Sequence, residues 1–200
     1  MDPSRLCRSI EQWFACRDGD GEFAQHKRTD AYVVVAPARS EASWLFTTKP
    51  ACVMGAIGEG TVRDRFAMIG GYGLPRDNDL SWISRLVGAG RLSFLGDLDP
   101  VDLLIYRWLR DQFVLLEMAY LGIGDVLLGI SPFEATDLPR IPLSPSEQEA
   151  LPLLEQCFPD LAGTIGIQSA ELLRLGWKLE LEAWVGGGAA SLANLLLDGG

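Results

Sequence analysis

Apolar positions along this chain fall into two patterns, short unbroken runs and stripes at helical spacing, and the contrast predicts the elements. AYVVVA at 31–36, RFAMIGG at 65–71 and RLSFL at 91–95 are compact runs that read as strands, the first β-branched and buried. ACVMGAI at 51–57 and DVLLGI at 125–130 read the same way. Helical spacing appears first in Leu6, Ile10, Trp13 and Phe14, a short leading helix broken by DGDGE. SEASWLF is expected to start a helix at Ser40, and Asp77 to Asp79 to cap one running to about Val87. Ile105, Leu109, Phe113, Leu116 and Tyr120 share one stripe and predict a helix over 100–120. Two more helices follow, Ser146 to Cys157 and Gln168 to about Trp184, then a glycine-bounded tail, AASLANLLL.

Strands separated by helices predict an α/β fold with a mostly parallel sheet flanked by helices. The expected division is an N-terminal helix and loop over 1–30, an α/β core over 31–130, and a linker with C-terminal helices over 131–200. The linker is SPFEATDLPRIPLSPSE, rich in proline and serine. No internal repeat is visible.

With 200 residues, 48% of them apolar, the chain has enough material for one well-buried domain. No stretch approaches the roughly 18 to 20 uncharged apolar residues that span a bilayer, and MDPSRLCRSIEQWF lacks the apolar centre of a signal peptide. A soluble, cytoplasmic protein without a membrane partner is the expectation. Cys7, Cys16, Cys52 and Cys157 form no C-x-x-C pair, and the one histidine, His26, lies in the polar stretch QHKRTD. A zinc site, a disulfide framework and histidine-based hydrolase chemistry all lose support. The net charge of -10 argues against tight autonomous binding to DNA or RNA.

The chemistry concentrates in FLGDLDPVDLLIYRWLR, residues 94–110. Asp97 and Asp99 stand between a strand and a helix, where open parallel sheets bind ligands. Two carboxylates there suit Mg²⁺, which takes one or two carboxylates plus waters and substrate phosphate. A structural reading accounts for part of this motif: Asp99 as N-cap, Pro100 as first helical residue and Asp102 as an acid at the helix dipole. It leaves Asp97 unexplained, because burying it beside another acid costs free energy without a cation or several donors. GGYGLP, with Gly71 and Gly73, either brings backbone amides to a phosphate or simply makes a tight turn.

Taken in order, GGYGLPRDNDLSWISRL followed by RLSFLGDLDP resembles the Toprim domain of topoisomerase VI A subunits, meiotic double-strand-break proteins and the nuclease subunit of Wadjet plasmid-defence systems. The likeness covers roughly residues 31–185, including LSPSEQEALPLLEQ and LLRLGWKLELEAW. It implies a Mg²⁺-dependent domain acting on DNA phosphodiesters, with Asp97 and Asp99 as ligands and Glu180 or Glu59 as a third acid. Members of the family carry an acid at the end of their first strand, and AYVVVAPARSE offers Ala36 there; Glu41 and Glu59 are possible substitutes. Tyr72 stands for the lysine of the glycine loop, and Asp102 for a glycine. The winged-helix region with the attacking tyrosine is not found in this chain.

Two function classes follow from these departures. One is a Toprim-like, DNA-associated module with impaired or lost catalysis, acting through another protein subunit in DNA processing or defence. The other is a Mg²⁺-dependent DNA nuclease or nuclease subunit, in which Glu180 serves beside the aspartates. A weaker third is a Mg²⁺-dependent phosphate or nucleotide-binding α/β domain. Glu180 and Glu182 also have a plainer reading, alternating with Leu179 and Leu181 on the solvated side of an amphipathic helix.

Overall fold

The computed structural model describes residues 32–57, 60–71, 74–113, 116–129, 139–183, 193 and 196–197. The leading helix, His26, Glu59, Tyr72, Gly73 and Trp184, together with most of the C-terminal tail, lie outside the described residues.

Five strands form one sheet: β1 (Val33–Val35), β2 (Ser43–Thr47), β3 (Phe66–Gly70), β4 (Leu92–Leu95) and β5 (Met118–Tyr120), in the order β1-β3-β2-β4-β5. β2, β3, β4 and β5 run parallel, and β1 is antiparallel to β3. The fold is α/β, with a mixed, mostly parallel sheet flanked by helices, as the alternation of elements predicts. Helices α1 (Pro50–Ile57), α2 (Gly60–Arg65), α3 (Asp77–Val87), α4 (Pro100–Gln112) and α5 (Asp125–Gly129) lie between or after the strands. A second ribbon pairs β6 (Ile141–Pro142) with β7 (Trp177–Lys178), and between them lie α6 (Pro145–Cys157), α7 (Leu161–Ile165) and α8 (Ile167–Arg174).

Burial follows from this order. β3 is buried along its whole length, and β2 from Trp44 to Thr47, because strands covered on both faces need continuous apolar sequence. Phe46, Phe94, Leu45, Met68 and Ile69 are inaccessible and make the centre of a single apolar core, which extends to Leu154, Leu173, Leu179 and Leu181 in the C-terminal part. No helix among the described residues is long and apolar enough to cross a membrane.

Several local expectations change. AYVVVA does hold a strand, but Val33 and Val34 are each 41% exposed, since β1 is the terminal strand of the sheet. The three compact runs AYVVV, RFAMI and RLSFL are expected to lie side by side in the sheet, but SWLFT, expected to be helical, lies between RFAMI and RLSFL as β2. ACVMGAI and DVLLGI are helical, as α1 and α5. The long helix stops at Gln112, and Tyr120 belongs to β5. SWLF, ACVMGAI and DVLLGI are short runs, for which periodicity by itself does not separate helix from strand.

Candidate functional site

Parallel pairing aligns Thr47, Gly70 and Leu95 at one edge of the sheet. The chain leaving β4 passes Gly96 and reaches Asp97, which is 1% exposed; the chain leaving β2 reaches Thr48 and Lys49. Lys49 Nζ lies 2.8 Å from Asp97 Oδ2 and 3.1 Å from Glu182 Oε1. The other oxygen of Asp97, Oδ1, accepts the Leu181 N–H at 2.8 Å. Both Asp97 oxygens are therefore engaged by groups far away in sequence.

Asp99 caps α4 as its position before Pro100 predicts. Its Oδ1 accepts the N–H groups of Val101 at 2.7 Å and Asp102 at 2.9 Å. Asp102 does more than face a helix dipole. Its side chain turns inward, where Oδ1 accepts the Thr48 hydroxyl and Oδ2 accepts the Asp97 N–H, both at 2.8 Å. With Asp102 only 5% exposed, three carboxylates share one buried region.

One oxygen from each of Asp97, Asp99 and Asp102 lies within 4.8 Å of the others, so the three could hold a metal ion. An all-oxygen carboxylate set suits a hard divalent cation such as Mg²⁺. An ion held there would compete with the partners that Asp97 already has, the Lys49 ammonium on Oδ2 and the Leu181 N–H on Oδ1.

The electrostatics follow from burial. Desolvation, then the charge of Asp99, pushes the Asp97 carboxyl up to about 7 against the pull of Lys49 and the Leu181 N–H. Desolvation raises Asp99, and raises Asp102 further with help from the charges of Asp99 and Asp97. Burial alone would lower the Lys49 ammonium; the Asp97 charge and hydrogen bond outweigh it and hold it above its usual range. One ammonium cannot neutralise three buried carboxylates. Lys49 stays charged, and the cluster binds protons more tightly than free carboxylates do.

The C-terminal segment completes the site. Gly176, at φ +84°, turns the chain out of α8, a conformation that glycine adopts without Cβ strain. The helix expected from Gln168 to about Trp184 thus ends at Arg174, and Trp177 to Glu182 runs past the acidic loop instead. Leu98 and Leu179 exchange N–H and C=O bonds at 3.0 and 3.2 Å, and Leu179 and Leu181 are fully buried. Strand pairing covers Trp177 and Lys178 and a single bridge at Leu179, after which the chain turns; Leu179 and Leu181 are buried while Glu182 is exposed. Lys178 Nζ bridges Glu147 Oε1 at 3.0 Å and Glu180 Oε1 at 3.1 Å. Glu147 is 2% exposed and closes the capping box of α6 with Ser144. Burial would raise its carboxyl, but the hydrogen bonds from Ser144 and Lys178 hold it below the usual range.

The expected residues separate accordingly. Asp97 and Asp99 come together; Glu180 pairs with Lys178 and is outside the three-carboxylate group. Gly71 is buried and donates its N–H to the Thr47 carbonyl at 3.1 Å, closing the end of β3 rather than presenting that amide to a ligand. Ala36 follows Val35, which pairs with Met68 on an antiparallel strand, so it points away from the aspartates. Glu41 precedes β2 and lines a surface cleft with Trp44 and Arg91 at the amino edge. The parallel strand ending beside the aspartates is β2, and its end, Thr47-Thr48-Lys49, carries no carboxylate. Sequence reasoning passed over Lys49, Glu147 and Lys178. A signal was present: the chain has only three lysines, Lys27, Lys49 and Lys178, and the last two meet at this edge.

Neither a family model nor a curated protein matches this chain.

Proposed function

We propose that the chain is a Toprim-like module with impaired or lost catalysis, which acts on DNA only through a partner subunit, in DNA processing or defence. The observation that carries this reading is the Lys49 ammonium 2.8 Å from Asp97 Oδ2. A cation supplied by the chain itself engages an oxygen of Asp97, for which a catalytic divalent ion would have to compete, and the end of β2 brings a lysine instead of an acid. Support also comes from the parallel order β3-β2-β4-β5, with the D-x-D-P element at its carboxyl edge. A net charge of -10 adds weak affinity for DNA as an isolated chain.

Incubation of the purified chain with supercoiled plasmid and Mg²⁺ at physiological salt tests this. The expected result is no nicking above background. Thr48→Glu combined with Lys49→Ala restores an acid at the end of β2 and removes the blocking charge; nicking gained by that variant and lost on adding Asp97→Asn would support a degenerate active centre. Robust cleavage by the wild type, abolished by Asp97→Asn, would overturn the reading.

One observation favours the second reading, a Mg²⁺-dependent nuclease subunit: Asp102 is a third buried carboxylate within reach of the pair. There Asp97 and Asp99 would hold the ion, with Asp102 beside them and Lys49 withdrawn to Glu182. The ion would polarise a phosphate oxygen. Glu180 would have to leave Lys178 to take part.

A further inference from the structure

We propose that the segment Trp177 to Glu182 is a latched strap over the acidic site, and that Lys49 and Asp97 are its latch. Its inner end is held by the β6–β7 pairing at Trp177 and Lys178 and by the Lys178–Glu147 bridge at 3.0 Å. Leu179 is tied to Leu98 by two backbone bonds, which any sequence could make. The outer end is held by the buried Leu181 side chain and by two polar ties to the ion pair: the Leu181 N–H to Asp97 Oδ1 at 2.8 Å, and Glu182 to Lys49 at 3.1 Å.

Both charged ties converge on one ion pair. Lys49 favours the ionised form of Asp97 and holds its Oδ2, Asp97 receives the strap's amide, and Lys49 holds the strap's carboxylate. Glu182 is about half exposed, so its own tie is weak against water, whereas Asp97 is almost wholly buried. Loss of the Lys49–Asp97 pair therefore removes the polar hold on the strap's outer end, leaves it the packing of Leu181 alone, and makes its local opening easier. The sheet beneath keeps its own backbone pairing between β2, β3 and β4. With the strap lifted, the Leu181 N–H no longer occupies Asp97, and the acidic pair opens to solvent. This device does not depend on the Toprim reading; it controls access to the acids whatever they bind.

Amide hydrogen exchange in the intact chain tests it. In the wild type, strap amides are expected to exchange through a local opening with a smaller denaturant dependence than β2 and β4. In Lys49→Met, exchange at Leu181 is expected to rise at least about tenfold, since a hydrogen bond to a charged group contributes more than an ordinary one. Protection in β2 and β4 should change far less. Glu182→Gln is expected to change Leu181 exchange only slightly, because an exposed pair contributes little. Unchanged Leu181 exchange in Lys49→Met would overturn the proposal. So would acceleration spread evenly over strap and sheet. If Lys49→Met does not fold, the wild-type measurement decides: strap amides that open only with global unfolding, at the same free energy and slope as β4, would also overturn it.

Discussion

Gly122 stands where a side chain would collide with the backbone that carries the acids. A Cβ there would lie 2.5 Å from the Gly96 carbonyl oxygen and 2.5 Å from the Tyr120 hydroxyl. Neither can easily withdraw. The Gly96 carbonyl accepts the Ile123 N–H at 3.1 Å, and the Tyr120 hydroxyl lies 3.2 Å from the carbonyls of both Asp97 and Ile123. Tyr120 also stacks on Phe94, which ties it to β4. Gly122→Ala is therefore expected to cost about 2 kcal/mol through overpacking and to disturb the loop holding Asp97. Urea denaturation measures the cost; an unchanged midpoint would mean that the loop yields freely.

At the scale of elements, α8 depends on a cap from outside its own sequence. Its N-cap position is Gly166, which has no side chain, and Asp125 at the start of α5 supplies the acceptors. Asp125 Oδ1 accepts the Ser169 N–H at 2.8 Å and the Ser169 hydroxyl at 2.7 Å; Oδ2 accepts the Gln168 N–H at 3.1 Å. Partial burial would raise the carboxyl, but these hydrogen bonds outweigh it and hold it below the usual range. Folding then lowers its pKa, so its stabilisation is present above the unfolded value of about 3.9 and is lost as pH falls through the folded value. Thermal melts from neutral to acid pH should show Asp125→Asn less stable at neutrality, with a shallower acid limb. Equal acid limbs in both proteins would assign the acid sensitivity elsewhere.

At the scale of the molecule, the ion pair joins three distant segments: the end of β2, the loop before α4, and the C-terminal strap. Without Lys49 the Asp97 carboxyl, already pushed up to about 7, binds its proton more tightly and loses its ion pair, so Lys49→Met is expected to cost about 2 kcal/mol. Asp97→Asn in the same chain should recover part of that loss, because the amide is neutral without taking up a proton. A double-mutant cycle in urea reads the coupling. Strict additivity would show that the pair contributes nothing beyond packing.

The sequence alone determined the elements with a strong local code. β3, β4 and α3 follow from compact apolar runs and an acidic helix start, and Asp99 caps α4 because the order Asp-Pro-Val-Asp satisfies the first turn locally. The carboxyl-edge position of Asp97 and Asp99 is legible for the same reason. Tertiary structure decided the rest. SWLFT and ACVMGAI are equally short and apolar, and only pairing between β3 and β4 makes the first a strand. WKLELE alternates apolar and polar residues next to helical sequence; its first two residues pair with Pro142 and Ile141, and Leu98, 81 residues before Leu179, makes the bridge that follows. Lys49 becomes the counter-ion of Asp97 because parallel register brings the ends of β2 and β4 together. Local sequence sets what each segment can form with its neighbours in the chain; contacts closed over long loops select among those options, and these loops bring the acids, the lysine and the strap to one place.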